Sequence, residues 1–181
     1  MYVNEAMTTN LKTCRPHNSL NEIARMMWEG DCGAIPVVSD DNKPIGVITD
    51  RDIAMAAMLN HQPLWEIQAS TVIHGQHLCC CNQQESIESC LHKMEQSEVR
   101  RVLITDQTGS LTGILSMGDA LAFTRADNSG AAKRSDKVDV DNVLPMLQKV
   151  SAHHAIDNSM MDTSASMRSG QRAESQQSFR S

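Results

Sequence analysis

The architecture of this chain follows from one seven-residue stretch, Gly46-Val47-Ile48-Thr49-Asp50-Arg51-Asp52, the first motif. Its first half is apolar and predicts a buried β-strand. Thr49 or Asp50 can cap a following helix, and Asp52 then lies in the first turn of that helix. A hydroxyl and a carboxylate therefore stand beside unpaired backbone N–H groups. Such a corner suits a sugar or a phosphate.

The same pattern returns 67 residues later as the second motif, Gly113-Ile114-Leu115-Ser116-Met117-Gly118-Asp119. Glycine aligns with glycine and aspartate with aspartate, while serine replaces threonine. The repeat needs no gap upstream, where identical residues pair as Leu11 with Leu78, Cys14 with Cys81, Ser19 with Ser86 and Met27 with Met94. Two copies of about 50 residues are too few for a solenoid. They indicate two half-domains that complete one core.

Composition restricts the class of protein. The chain has 181 residues, of which 40% are hydrophobic but only 3% aromatic, so Met, Leu, Ile and Val must fill the core. Residues 127–181 hold seven basic and seven acidic side chains, so the net charge of −6 falls on residues 1–126. Nucleic-acid binding through a basic face is therefore not expected.

Targeting and cysteine patterns predict a reduced cytoplasmic protein. The start, Met1-Tyr2-Val3-Asn4-Glu5, lacks the basic and apolar regions of a secretory signal. No stretch approaches the roughly 20 apolar residues of a membrane span, so no membrane partner is expected. Three of the six cysteines are adjacent, at 79–81, which is poor geometry for a disulfide framework.

Local patterns give each half the order β-α-β-β-α. The first half has a short strand at 11–14, a helix at 20–29, strands at 34–38 and 44–49, and a helix at 50–60. The second half has a short strand at 79–81, a helix at 87–96, strands at 101–105 and 111–116, and a helix at 118–124. Ser19 and Ser86 cap the first helix of each half, Glu22 completes a capping box with Ser19, and Gly30 ends the first of these helices.

The chain divides into four segments on this interpretation. Residues 2–60 form the first half, 61–73 a linker and 74–125 the second half. Residues 126–181 form a polar tail, rich in Ser, Gln and Asn. We expect this tail to be largely disordered, apart from a short helix at 142–150.

The duplicated β-α-β-β-α order, with Gly-hydrophobic-hydrophobic-Thr/Ser-x-x-Asp closing each copy, resembles the tandem cystathionine-β-synthase (CBS) domain pair, or Bateman module. The stretch at residues 33–38 followed by the first motif looks like the small stand-alone bacterial members, and the likeness covers about residues 2–125. It implies an α+β fold of two repeats packed as a pseudo-twofold pair. It also implies a non-catalytic regulatory protein, not an enzyme, that binds an adenosine-containing ligand in clefts between the repeats.

The resemblance also assigns roles to motif residues. Asp52 and Asp119 would bond ribose hydroxyls, and Thr49 and Ser116 would contact ribose or phosphate. A carboxylate can accept hydrogen bonds from both hydroxyls of a ribose, and such bonds are strong. AMP, ADP, ATP or S-adenosylmethionine would be the ligand, and no other cofactor is required.

Three arginines are candidates for the phosphate. Arg51 belongs to the first motif, whereas Arg100 and Arg101 stand at the entry of a strand of the second half. The second motif has Met117-Gly118 where the first has Asp50-Arg51, so it lacks an adjacent cation. The second half also departs from the family at Thr71-Val72-Ile73-His74, where His74 takes the place of the usual methionine.

Structural alternatives accompany each of these roles. Thr49 and Ser116 can act as helix caps alone, and Asp52 and Asp119 can simply complement the helix dipole. The arginines can be solvent-exposed or form surface ion pairs. Motifs of a catalytic nucleophile or a glycine-rich phosphate loop are absent from the sequence.

One segment suggests different chemistry. A metal- or redox-responsive protein could use a ligand set within residues 74–81, namely His74, His77, Cys79 and Cys81. Strand alternation separates Cys80 from its two neighbours, which weakens this interpretation. A third alternative is a scaffold that binds partner proteins without any small ligand.

Apolar helix surfaces predict a homodimer. The helices carry more apolar positions than one interior contact can use: Met26, Met27, Trp28, Ile53, Ala54, Ala56, Ala57, Met58, Ala120, Leu121, Ala122 and Phe123. A module of about 125 residues has a limited interior, so part of this surface should form an interface. The alternative is that the helix at 142–150 covers it within one chain. The effector protein that would receive the signal is unknown.

Overall fold

The structure, a computed structural model, describes residues 2–126. A short 3-10 helix (Val3–Glu5) precedes the first half, which contains α1 (Leu20–Gly30), β1 (Ala34–Val38), β2 (Pro44–Thr49), α2 (Asp50–Asn60) and the short α3 (Ala69–Ile73). The second half contains β3 (Cys80–Asn82), α4 (Ile87–Gln96), β4 (Arg101–Thr105), β5 (Leu111–Ser116) and α5 (Met117–Ala126). The helix predicted at 142–150 and the rest of the predicted disordered tail lie outside the described residues.

An antiparallel hairpin forms the centre of each half. β1 pairs with β2 so that Ala34 is the register partner of Thr49. β4 pairs with β5 in the same register, which makes Arg101 the partner of Ser116. Both hairpins carry an irregularity near the end of their first strand, so the repeat extends to the backbone detail.

The predicted edge strands differ between the halves. In the second half β3 adds to β4 in parallel, one residue later than the predicted 79–81. In the first half the predicted strand at 11–14 is reduced to a single parallel bridge between Cys14 and Val37. Pro16 has no backbone N–H to continue such a ladder, and a turn begins there.

Helix caps follow the predictions closely. The Glu22 backbone N–H donates to Ser19 Oγ at 3.3 Å, and the Ser19 backbone N–H donates to a Glu22 carboxylate oxygen at 2.9 Å. The Ser89 backbone N–H donates in the same way to Ser86 Oγ at 3.1 Å. One prediction was wrong by a residue: α1 includes Gly30, and Asp31 ends it in the left-handed region with φ of 46°.

Each half has its own buried core. The first contains Cys14, Leu20, Ile23, Met27, Ile35, Val37, Ile48, Ile53, Ala56, Ile67 and Ala69. The second contains Val3, Cys81, Ile87, Cys90, Leu91, Met94, Val102, Ile104, Leu115 and Ala120. A smaller cluster of Val38, Leu103 and Leu111 joins residues of both hairpins. Each large apolar side chain buried in this way contributes about 1.5–3 kcal/mol. None of the described helices combines the length and apolar character needed to cross a membrane.

The segment that leads into each half packs on the core of the other half. Val3 is fully buried in the second core, and its backbone N–H donates to Glu85 O at 2.9 Å. Ala69 is fully buried in the first core, so α3 completes that core although its residues were predicted to be linker. This exchange ties the two halves together.

The glycines that open the two motifs are required by this exchange. A Cβ atom at Gly46 would lie 2.4 Å from Ile73 Cγ2, and one at Gly113 would lie 2.5 Å from Met7 Sδ. Ile73 therefore occupies the place that the ungapped alignment gave to His74, and His74 is exposed. The second half has one extra residue in this segment. It is accommodated where Gly75 adopts φ of +77°, a conformation that favours glycine.

Candidate ligand-binding clefts

The first motif folds as a capping box at the start of α2. The Thr49 backbone N–H and hydroxyl donate to Asp52 Oδ2 at 2.8 and 2.7 Å, and the Asp52 backbone N–H donates to Thr49 Oγ1 at 3.2 Å. The second motif repeats this arrangement at α5. There the two bonds from Ser116 to Asp119 Oδ2 measure 2.8 and 2.7 Å, and the return bond measures 3.1 Å.

These bonds show that Thr49 and Ser116 cap their helices. In each motif the carboxylate uses one oxygen, Oδ2, for the cap. Oδ1 of Asp52 and of Asp119 makes no hydrogen bond to another described residue. The cap holds each half-buried carboxylate in one orientation. A ligand hydroxyl that binds the second oxygen would therefore cost little side-chain entropy.

A cavity of about 470 Å³ adjoins the second motif, and we call it the ligand cavity. Its wall in the second half is formed by Arg101, Ile114, Ser116 and Asp119. The facing residues come from the leading segment and the α1–β1 corner: Thr8, Asn10, Leu11, Lys12, Gly30, Asp31, Cys32, Gly33, Ala34 and Pro36. The volume lies within the roughly 300–1,000 Å³ of small-ligand sites.

Two cations of the described residues line the ligand cavity. Arg101 reaches it because β4 places this residue opposite Ser116. Lys12 lines it from the other half, and its ammonium also pairs with a Glu29 carboxylate oxygen at 3.3 Å. The second motif thus has a cation, Arg101, from a neighbouring strand, although no basic residue lies within the motif itself. Arg51 and Arg100 are exposed and do not line this cavity.

The first motif has different surroundings. The register partner of Thr49 is Ala34, where the second half has Arg101, so the corresponding cation is missing. The side chain of Gln76 also blocks the edge of β2: its Oε1 accepts from Val47 N at 3.1 Å, and its Nε2 donates to Val47 O at 3.0 Å. In the second half, backbone groups make the equivalent contacts at 2.9 and 3.0 Å. Thr49 and Asp52 do not line the ligand cavity.

A second cavity of about 440 Å³ lies between α1 and α2, and we call it the helix groove. It is lined by Ala24, Met27, Trp28, Asp31, Cys32, Gly33, Asp50 and Ile53. Residues 31–33 also line the ligand cavity, so the two cavities share a wall. Trp28, at its edge, is 88% exposed.

The metal ligand set predicted within residues 74–81 is not assembled. His74 and His77 are exposed, and Cys79 is half-buried. The structure instead groups Cys81 with Glu85 and Cys90, whose donor atoms lie within 4.8 Å of one another. Cys90 was missed because it lies at a core position of a helix, where cysteine usually acts as a small apolar residue.

The thiols of the described cysteines differ in their pKa values. Burial raises the pKa of Cys14 to about 11, and it also raises the pKa of Cys79 and of Cys80. The S–H group of Cys90 donates to Cys81, which lowers the pKa of the Cys81 thiol. The same hydrogen bond, together with burial, raises the pKa of Cys90. Of this pair Cys81 therefore forms the thiolate first, and the thiolate is the form that binds metals.

Comparison with known proteins identifies relatives over most of the chain. The family model of the CBS domain matches residues 3–59 and 74–125. The CBS domain-containing protein YhcV of Bacillus subtilis is 31% identical over 145 residues, which cover 78% of this chain and 97% of that protein.

Solved structures show the same fold. Hypoxic Response Protein I, crystallised with two coordinated zinc ions, matches with a TM-score of 0.61 at 26% identity, over 67% of this chain and 98% of that chain. A CBS domain protein from Pyrobaculum aerophilum complexed with AMP matches with a TM-score of 0.61 at 21% identity, over 70% of this chain and 94% of that chain.

Proposed function

The chain belongs to the CBS domain family, and from this premise we propose that it is a non-catalytic regulatory protein that senses an adenine nucleotide. The observation that carries the proposal is the ligand cavity, where Asp119, Ser116 and Arg101 converge at the start of α5. The AMP complex of the Pyrobaculum aerophilum protein supports a nucleotide in this fold.

The residues of the ligand cavity match the three parts of a nucleotide. Asp119 Oδ1 accepts hydrogen bonds from the ribose hydroxyls, since Oδ2 is held by the cap. Arg101 and Lys12 bind the phosphate, and Arg101 can do so through two parallel N–H groups. The apolar residues Leu11 and Ile114 offer a surface for the adenine ring.

One cleft carries most of this binding. The ligand cavity has cations from both halves, whereas the surroundings of the first motif lack the arginine that the register would place there. Desolvated phosphate charge needs a partner to avoid a large penalty. We therefore expect one nucleotide per chain at low concentration, bound beside the second motif.

The homodimer and the cytoplasmic location remain part of the proposal. Four of the apolar helix residues that were predicted to form the interface are buried within the chain and cannot contribute to it: Met27, Ile53, Ala56 and Ala120. Trp28, Met58 and Leu59 are exposed by 88%, 54% and 66%, and they would form it. An effector protein would then sense the ligand through a change at this surface.

Isothermal titration with AMP, adenosine, ADP, ATP and S-adenosylmethionine tests the proposal, beside a metal assay that addresses the rival function. We expect AMP to bind at one site per chain and more tightly than adenosine, since only AMP carries the phosphate. Arg101→Ala should remove this preference. Arg100→Ala is the matched control, because Arg100 is the adjacent arginine and is also exposed, but it does not line the ligand cavity. No binding of any of these ligands would favour the scaffold without a small ligand.

A further inference from the structure

The second half contains a cluster of two thiols and a carboxylate that nucleotide binding does not use. Cys81 lies on β3, Glu85 in the turn before α4, and Cys90 at the end of the first turn of α4. One ligand atom from each lies within 4.8 Å of those of the other two. Within residues 2–126 this is the one group of three or more potential metal ligands with this spacing.

The cluster is buried on one side and open on the other. Cys81 and Cys90 are 1% and 0% exposed, whereas the Glu85 side chain is 27% exposed. The thiols therefore point into an apolar environment, and the carboxylate connects them to solvent. A site of this shape offers an ion a path of access and keeps competing water away from the thiols.

The surrounding hydrogen bonds hold the carboxylate in place. Glu85 Oε1 accepts from the Asn82 backbone N–H and from Lys93 Nζ, both at 2.8 Å, while Oε2 accepts from Ser89 Oγ at 2.9 Å. The ammonium of Lys93 shows that this position already attracts a cation. Its charge also favours the thiolate form of Cys81.

We propose that Cys81, Glu85 and Cys90 bind one Zn²⁺ ion, with water as the fourth ligand. Zinc bonds of about 2.0–2.3 Å place the donor atoms of a tetrahedral site about 3.5–4 Å apart, so donor atoms that lie within 4.8 Å have to approach by about 1.3 Å at most. Two thiolates and one carboxylate suit zinc, whereas Mg²⁺ and Ca²⁺ require oxygen ligands and Cu(I) would use the thiolates alone.

Binding changes the protonation of the cluster in a defined way. The hydrated ion keeps one water and exchanges its other waters for two Cys sulfurs and one Glu85 oxygen, and two thiol protons leave to solvent because only thiolates bind the metal. The ammonium of Lys93 gives up its bond to Glu85 Oε1 and remains close to the site, where it offsets the negative charge of two thiolates and a carboxylate. No electron transfer takes place.

Cobalt substitution tests the site in the full-length, reduced, metal-free protein. We expect one Co²⁺ per chain, with the thiolate-to-metal absorption and the intense visible bands of a tetrahedral site, and loss of both signals on adding Zn²⁺. Cys90→Ala should abolish the thiolate absorption. Cys80→Ala is the matched control, because the next residue of a strand points to the opposite face. His77→Ala should also leave the signal unchanged.

Glu85→Gln keeps the proposal testable if the core substitution unfolds the protein. This nearly isosteric change at a partly exposed residue should weaken Zn²⁺ binding by more than the roughly 10- to 100-fold that loss of an outer-shell partner costs. The proposal is overturned if no thiolate absorption develops, if Cys80→Ala or His77→Ala removes it, or if Glu85→Gln binds as tightly as the parent. None of these outcomes depends on the nucleotide site.

Discussion

The aspartates of the two motifs are a matched pair that separates helix capping from ligand binding. Asp52 and Asp119 make the same three capping-box bonds, which agree within 0.1 Å between the motifs. Substituting either by Ala removes the same acceptor from a helix N-terminus. We expect each variant to lose about 1 kcal/mol of unfolding free energy, or roughly 2–8 °C in melting temperature.

The affinity for AMP should differ between the two variants. Only Asp119 lines the ligand cavity, so Asp119→Ala loses a charged acceptor for the ribose as well as the cap. Loss of such a bond costs about 1.5–3 kcal/mol, which is roughly ten- to hundredfold in the Kd for AMP. Asp52→Ala should change the Kd by roughly twofold at most, as distant sites are usually independent.

Thermal unfolding gives the stability of each variant, and titration calorimetry well below both melting temperatures gives the affinity. Asp119→Asn is a further control, because it keeps an oxygen for the cap and loses only the charge. The reasoning fails if Asp52→Ala weakens AMP binding as much as Asp119→Ala. If Asp119→Ala binds AMP like the parent, this carboxylate is a cap and nothing more.

Three other outcomes test the fold and the assembly. Gly46→Ala should lower the free energy of unfolding in a urea titration by about 1–3 kcal/mol. The loss should exceed that of Gly113→Ala, because the β-branched Ile73 side chain moves aside less easily than the flexible Met7 side chain. Equal losses would contradict this packing. Trp28→Ala should leave the melting temperature unchanged but lower the molar mass in light scattering, and a persisting dimer would place the interface elsewhere. Truncation after Arg125 should change the melting temperature little and leave the dimer intact, whereas a drop of many degrees would show that the tail belongs to the core.

Most of the secondary structure could be predicted because its signals are local. The capping box of Ser19 and Glu22, the hairpins and the start of α2 each depend on residues within a few positions of one another. The family resemblance, confirmed by two matches of the CBS model, added the pairing of the halves. The error at Gly30 concerns the end of an element, where local signals are weakest. The strand predicted at 11–14 is reduced to one bridge, because an edge strand needs its pairing partner as well as a local signal.

The site was harder to predict because it depends on pairs far apart in the chain. Arg101 lies beside the second motif because the register of β4 and β5 pairs it with Ser116. The length of that hairpin in the sequence would have allowed this pairing to be predicted. The sequence gives no such indication for Gln76. Its side chain bonds to the Val47 backbone, where the second half uses backbone bonds, because one extra residue shifts the chain in this segment. The grouping of Cys81 with Cys90 likewise needs the packing of α4 on β3.

The corner between α1 and β1 explains how a bound nucleotide would act on an interface. Residues 31–33 line both the ligand cavity and the helix groove. At Gly33, Asp50 Oδ2 and Arg101 Nη2 would lie 3.5 and 3.6 Å from an added Cβ, and Gly33 O accepts from the Asp50 backbone N–H at 3.4 Å. A bound phosphate that moved Arg101 would therefore change the charge next to Gly33, which lies beside the start of α2. Because α2 carries Met58 and Leu59 of the proposed interface, the ligand would favour one position of this helix over another, which is the differential interaction that a population shift requires.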